Sequence, residues 1–322
     1  MTATLIPWRR WSIFMVLAAP VIALAILNPV FRQPGNLFNL WQQASIIGIL
    51  AVGQTMVIIL GGFDLSVGAV AALAGVICFL GFGLGDGNLA VVGGIVGALA
   101  VCGFVGVVNG ALITKLKMTP LIATLGVLSL VRGAVLVVSD GQAIYAEEGL
   151  GYDFANALQA SFLGMPVAGL LFLAVAAIGL VLLRLTIYGQ FVYAVGGNEK
   201  AAVLAGIPVG KVKIVTYCFC SIAAGIGGIL LASRTASALP NAGVNYELQA
   251  ITAVVIGGAK LSGGKGSIVG TVLGVLLLTA IGNALNLYNI SPFWQTGVTG
   301  AILIVAVAIS LLTGEDEKSG RG

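Results

Sequence analysis

From residue 89 to residue 114 the chain reads LAVVGGIVGALAVCGFVGVVNGALIT, twenty-six residues without a single charge. Wound as an α-helix, at 1.5 Å per residue, this stretch is about 39 Å long. That exceeds the roughly 30 Å hydrocarbon layer of a bilayer. Uncharged stretches also occupy Ser12–Phe31, Phe162–Leu183 and Ser267–Ser291. Charge is confined to the gaps between them. Only 8% of the 322 residues are Asp, Glu, Lys or Arg, against 59% hydrophobic, and the mean hydropathy is +1.11. So little charge cannot cover a water-soluble globule of this size. The chain is expected to be an all-α, polytopic membrane helical bundle, with residues 1–322 forming a single transmembrane domain. The first apolar segment has no small-residue cleavage site behind it and apolar segments recur to the end, which is not the pattern of a removed leader.

Lys and Arg gather on the cytoplasmic side of membrane proteins and so orient the helices. Arg9 and Arg10 place the N-terminus inside. Spans are then expected near 12–31, 40–60, 67–85, 89–113 and 119–138, which leaves Lys115 and Lys117 inside. The weakly apolar stretch Ser139–Ser161 carries Glu147, Glu148 and Asp153 with no Lys or Arg, and belongs outside. A span near 162–183 returns to Arg184, Lys200, Lys211 and Lys213, the main inside loop. Spans near 214–233, 246–258, 267–287 and 293–312 complete about ten crossings, with both termini cytoplasmic. Lys260, Lys265 and the polar tail 314–322 fall inside; Arg32 and Arg234 are left outside, and Arg132 lies in the outer part of the fifth span. The segment 246–258 is short for a crossing and fits a re-entrant or broken helix.

Glycine supplies 47 residues, and pairs four apart occur at Gly93/Gly97, Gly106/Gly110 and Gly270/Gly274. In lipid no hydrophobic force brings helices together, so close backbone approach at small residues supplies the packing. The pattern points to a tightly packed bundle.

Few residues are placed to do chemistry. The chain has no histidine, which excludes imidazole proton relays and His metal sites. Cys78, Cys102, Cys218 and Cys220 all sit inside apolar runs without metal-site spacing. Gly263-Gly264-Lys265-Gly266 resembles a phosphate loop superficially, but that motif needs Gly where Ala259 stands and Ser or Thr where Gly266 stands. No ATP site, no metal site and no cofactor is expected in this chain. Asp64, in Gly61-Gly62-Phe63-Asp64-Leu65-Ser66-Val67-Gly68, is the carboxylate most closely held between apolar runs. Two glycines break a helix there, and Asp64 or Ser66 is placed to cap the next one. A carboxylate at membrane depth also marks pathways, and the two roles are compatible. Asn109, Asn283 and Asn286 are amides within apolar runs and join Asp64 as candidate substrate-path residues. Residues 59–66 are echoed faintly by residues 255–262, an internal repeat of the kind transporters use around a substrate path.

The inside loop Gly196-Gly197-Asn198-Glu199-Lys200-Ala201-Ala202-Val203-Leu204-Ala205-Gly206-Ile207-Pro208 opens on a turn signal and closes on Gly and Pro. Between them lies a short helix with apolar and charged faces, a docking knob for a partner or a surface helix resting on headgroups.

These motifs carry a resemblance. The Gly61–Gly68 segment, the 196–208 loop, Tyr246-Glu247-Leu248-Gln249-Ala250-Ile251 with Gly257-Gly258, Gly263-Gly264-Lys265-Gly266-Ser267, Gly282-Asn283-Ala284-Leu285-Asn286-Leu287 and Phe293-Trp294-Gln295 resemble the ribose-type permeases of ABC importers over essentially the whole chain. Phe63 stands where Ile is usual, and Gln249 where Asp is usual. The resemblance implies an inner-membrane homodimer that moves a monosaccharide or related polyol. It also implies a separate cytoplasmic ATPase with two fused nucleotide-binding domains, and a periplasmic sugar-binding protein. The 196–208 loop would seat in that ATPase through Gly197, Asn198, Glu199, Lys200, Ala201, Ala202 and Gly206. The lipid bilayer is a further partner; nucleic acid is not.

Two other classes compete. An ion-coupled secondary transporter usually needs several intramembrane carboxylates or histidines, and Asp64 stands nearly alone. A membrane enzyme needs a nucleophile–base constellation, and none is visible.

Overall fold

The computed structural model describes residues 18–319 apart from 20, 24, 85, 86, 147, 148 and 163, and the side chains of 292 and 309–319 are not among those described. The N-terminal basic pair, most of the expected first span, Asp86, Glu147 and Glu148 therefore lie outside the described residues. Between 18 and 27 the described residues are helical, followed by a 3-10 turn at Pro29–Arg32.

The long apolar runs become helices: α1 (Pro34–Ile59), α2 (Val67–Phe82), α3 (Gly87–Lys115), α4 (Pro120–Val138), α6 (Val167–Leu185), α9 (Val209–Thr235), α10 (Tyr246–Ile256), α11 (Ile268–Leu287) and α12 (Pro292–Ser319). Shorter helices are α5 (Leu150–Gln159), α7 (Ile187–Gly197) and α8 (Glu199–Leu204). Among the described residues, six helices, α1, α3, α4, α6, α9 and α11, are long and apolar enough to cross a membrane. The chain is a mostly helical, multi-span membrane protein. Among the described residues strand is limited to two pairs of dipeptides, Ile144–Tyr145 with Ser237–Ala238 and Ser161–Phe162 with Met165–Pro166.

Helix α1 is the axis. From Ala44 to Ile59 every residue is buried, whereas only 28% of the apolar window of α4 is. With no charge and little polarity on any face, α1 has no side that prefers water, so packing on all sides is its stable arrangement. It is embraced by α6, α9, α10 and α11. Glycine sets the close approaches. A Cβ on Gly106 or Gly110 would strike the α9 backbone at Cys218 or Ile214, each at 2.6 Å. One on Gly270 or Gly274 would collide with the α10 carbonyls of Gly257 or Ala253. Two of the three sequence-marked pairs thus pack helix on helix. Gly93 and Gly97 have nothing within reach; the glycine of that turn that does pack is Gly94, against the carbonyl of Cys78.

Two short helices interrupt the bundle. Helix α2 packs on α3, α4 and α9, while α10 packs on α11, α12 and α1. Each long helix thus leans on the other half's module, a crossed arrangement with the character of an internal repeat. Their N-terminal approaches meet inside the bundle: a Cβ on Gly68 would collide with the carbonyl of Gly243, and one on Gly243 with that of Gly68. From there α2 and α10 run toward opposite ends. The short 246–258 segment expected from the sequence is this half-helix α10.

The sequence echo has a different origin. Helix α1 ends with Gly61 N–H on Ile58 O and Gly62 N–H on Val57 O; α10 ends with Gly258 N–H on Val255 O and Ala259 N–H on Val254 O. Both are Schellman closures, with the left-handed residue at Gly61 (φ 88°) and Gly258 (φ 85°). The closures superpose 61 on 258, one residue off the register of the sequence match. The echo therefore records the same stop signal used twice at one end of the molecule, not the repeat that the packing shows.

Candidate translocation and coupling sites

The end of α1 is where the chain converges. Gly264 N–H donates to Ile59 O at 2.8 Å, and a Cβ on Gly196 would strike that same carbonyl. Three backbone segments, 59–62, 196–197 and 263–264, therefore cross without side chains between them. Lys115, Lys117, Lys200, Lys211, Lys213, Lys260 and Lys265 all belong to segments at this end.

Beyond Gly62 the chain turns back into the bundle. Tyr217 OH donates to Phe63 O at 3.2 Å, and the Gln54 amide, oriented to suit both partners, brackets the backbone N–H and C=O of Asp64 at 3.2 Å each. Asp64 is fully buried; its Oδ1 accepts from Ser66 N–H (2.9 Å) and from Ser66 Oγ (2.6 Å). Asn109 Nδ2, on α3, donates to Ser66 Oγ at 2.9 Å. Asp64 thus caps the entry to α2, and Ser66 makes no side-chain cap. Asp64 Oδ2 and Asn109 Oδ1 have no hydrogen-bond partner among the described residues.

The structure joins Asp64 and Asn109 in this network and puts the other two candidates elsewhere. Asn283 exchanges hydrogen bonds with Asn36, Nδ2 to Oδ1 in both directions at 2.8 and 3.0 Å, tying the end of α11 to the start of α1. Asn286 Oδ1, a turn further on, accepts from Gln295 Nε2 of α12 at 2.6 Å.

The loop after α7 forms a small protruding element. Asn198 Oδ1 accepts from Ala201 N–H at 3.0 Å and caps α8; Gly206 N–H and Ile207 N–H close it onto Val203 O and Ala202 O. Ala202 is 4% exposed and anchors the helix, while Gly197, Asn198, Glu199, Lys200, Ala201 and Gly206 face outward. Leu204 is 89% exposed, an apolar tip at the helix end. Glu199 Oε1 pairs with Lys213 Nζ of α9 at 2.7 Å, locking the element to a long helix. Lys213 was not foreseen as a partner, because nothing in the spacing of 199 and 213 says that a six-residue helix doubles back.

A cavity of about 200 Å³ lies among α1, α10, α11 and α12, lined in part by Gln43, Asn245, Gln249, Thr252, Gln295 and Thr299. Sequence reasoning missed Gln43, although a glutamine inside an otherwise apolar run is the signal that could have found it.

A multi-span bundle with broken helices at its centre, a cavity with polar side chains in its wall and a short exposed helix at one end is an architecture that a membrane permease can use. The profile of the family described as the permease component of a branched-chain amino acid transport system matches residues 36–307, and the chain belongs to that family. It is 43% identical over 300 residues to the ribose import permease protein of Bacillus subtilis (strain 168), covering 92% of this chain and 91% of that one. Over 304 residues it is 39% identical to the L-arabinose transport system permease protein of Escherichia coli (strain K12), covering 93% and 90%. The D-allose transport system permease protein of the same strain is 34% identical over 308 residues, covering 95% and 92%. No solved structure matches the chain significantly.

Proposed function

We propose that this permease is the translocating subunit of an ATP-binding-cassette importer and carries a monosaccharide, a pentose, hexose or related polyol, across the bacterial inner membrane. The observation that carries the reading is the kinship to three sugar permeases along nearly their whole length, joined to a docking element built for a partner. ATP is hydrolysed by a separate cytoplasmic ATPase with two fused nucleotide-binding domains, and sugar is delivered by a periplasmic binding protein. Helix α8 is the coupling helix: its apolar tip at Leu204 enters the ATPase, and the Glu199–Lys213 pair passes the movement to α9.

Ten spans are proposed from the six long helices, the half-helices α2 and α10, helix α12 and the helical residues between 18 and 27. The concentration of Lys at the α8 end supports cytoplasmic termini. Two copies are proposed to assemble with the open side of the α10–α12 cavity turned inward, since Val244 and Leu248 are exposed at its rim and unpaired amides beside it are costly in lipid. Asp64 and Asn109 hold the broken entry to α2 at the path, and Asn283 and Asn286 hold the ends of α11 and α12 at its outer mouth.

Uptake of labelled sugar into vesicles containing permease, ATPase and binding protein tests the reading. Vanadate is expected to stop uptake and an uncoupler to leave it intact; the reverse pattern would make the chain an ion-coupled carrier.

A further inference from the structure

The cavity among α1, α10, α11 and α12 has a composition that selects its ligand. Among the described residues, none that lines it carries a charge, yet Gln43, Asn245, Gln249, Thr252, Gln295 and Thr299 all contribute to its wall. A larger cavity of about 540 Å³ at the α8 end, by contrast, has Lys117, Glu199 and Lys213 in its wall. Among the described residues, the side-chain amides of Gln43 and Gln249 have no hydrogen-bond partner, and both are half-buried. An unpaired amide in a membrane bundle costs on the order of 2 kcal/mol or more, so this cavity is filled by water or by something that replaces water. Its wall includes Asn245, just before α10 and two residues from Gly243, where the approaches to α2 and α10 meet. Substrate sites of transporters form at such meetings of broken helices.

We infer that this cavity is a transit site for a neutral polyhydroxylated solute, with Gln43 and Gln249 exchanging hydrogen bonds with its hydroxyls; the inference rests on the import reading above. Its volume admits about half a dozen waters, each occupying about 30 Å³, and a monosaccharide's hydroxyls substitute for such waters. A zwitterionic amino acid does not fit the same wall, because its carboxylate and ammonium would be desolvated without a counter-charge. The N-terminus of α10, the natural seat for a carboxylate, already carries Glu247 in its first turn. Gln249 matters most in this arrangement. It lies on α10, the half-helix whose approach meets that of α2.

The test uses the complete transporter in membrane vesicles, in a Cys218→Ser background, since Cys78, Cys102 and Cys220 are buried. Gln43→Cys and Gln249→Cys are probed with a charged methanethiosulfonate, alone and with D-ribose, L-arabinose, D-allose or L-leucine. Both cysteines are expected to react, and whichever sugar the parent imports is expected to slow the reaction about threefold or more, with L-leucine without effect. Gln249→Leu, which keeps the volume and removes the amide, is expected to lower sugar uptake about tenfold, the upper end for one lost hydrogen bond, while ATP hydrolysis persists. Unreactive cysteines with uptake intact would overturn the site. Import of L-leucine, or protection by it, would overturn the ligand class. Uptake that survives vanadate and collapses with an uncoupler would overturn the import reading on which the site rests.

Discussion

Gly196 and Gly197 are neighbours with opposite surroundings, and the pair makes a controlled experiment. A methyl on Gly196 falls on the carbonyl of Ile59, with Gly264 N at 2.8 Å and the Ile59 carbonyl carbon at 2.9 Å. Neither contact is the far end of a flexible side chain, so the three-way backbone crossing must open. Overpacking of this kind costs about 1–3 kcal/mol, and losing the Gly264–Ile59 hydrogen bond adds about 1 kcal/mol. Gly196→Ala should therefore destabilise by about 2–4 kcal/mol. At about 2 °C per kcal/mol, the melting temperature of the purified permease should fall by roughly 4–8 °C. A methyl on Gly197 meets nothing within 4 Å. There, at the end of α7, the better helix propensity of Ala offers at most about 1 kcal/mol of gain. Gly197→Ala should melt within a degree or two of the parent. The crossing also carries α7 and hence α8, so sugar-stimulated ATP hydrolysis should drop in Gly196→Ala. Equal melting shifts in the two variants, or an unshifted Gly196→Ala, would refute the close crossing.

Removing the Asp64 side chain strands Ser66 N–H and Oγ–H, so Asp64→Ala should cost about 3 kcal/mol, measured as thermal stability in detergent. Asp64→Asn keeps the accepting Oδ1 and brings a donor to a cluster in which Asn109 Oδ1 has no partner; it should stay within about 1 kcal/mol of the parent, a loss as large as that of Asp64→Ala being the contrary result. Leu204→Glu places a charge on an exposed apolar tip; the permease should melt normally while co-purification of the ATPase and uptake both fall. Glu199→Lys sets a second cation against Lys213, and uptake together with transporter-stimulated ATP hydrolysis should fall while the protein still inserts. Gly110→Ala drives a methyl into Ile214 of α9 and should destabilise by about 1–3 kcal/mol, whereas Gly93→Ala, with open space around it, should be neutral in the same melting assay.

Much of this protein was already legible in its order of residues. Hydrocarbon accepts no unpaired charge, so the uncharged runs had to be spans, with the lysines at their ends or between them; α1, α3, α4, α6, α9 and α11 follow those runs to within about six residues. Capping chemistry is equally local. Gly61, Gly206 and Gly258 end helices because the residue itself takes the conformation a closing turn needs, and Asn198 begins one because its own side chain reaches the amide of Ala201. Interhelical relations were not legible, because they depend on which faces meet. Of the three glycine pairs four apart, two pack and one does not, and only the placement of α9 and α10 separates them. The same holds for the amides: Asn109, Asn283 and Asn286 look alike in sequence, yet one joins a buried network at Ser66 and two tie α11 to α1 and α12. Gln43 and Gln249 lie 206 positions apart, a separation at which no local pattern couples them. Composition and helix-stop chemistry act over a few residues and are written in the chain; the cavity that Gln43 and Gln249 share exists only once α1 and α10 have packed side by side.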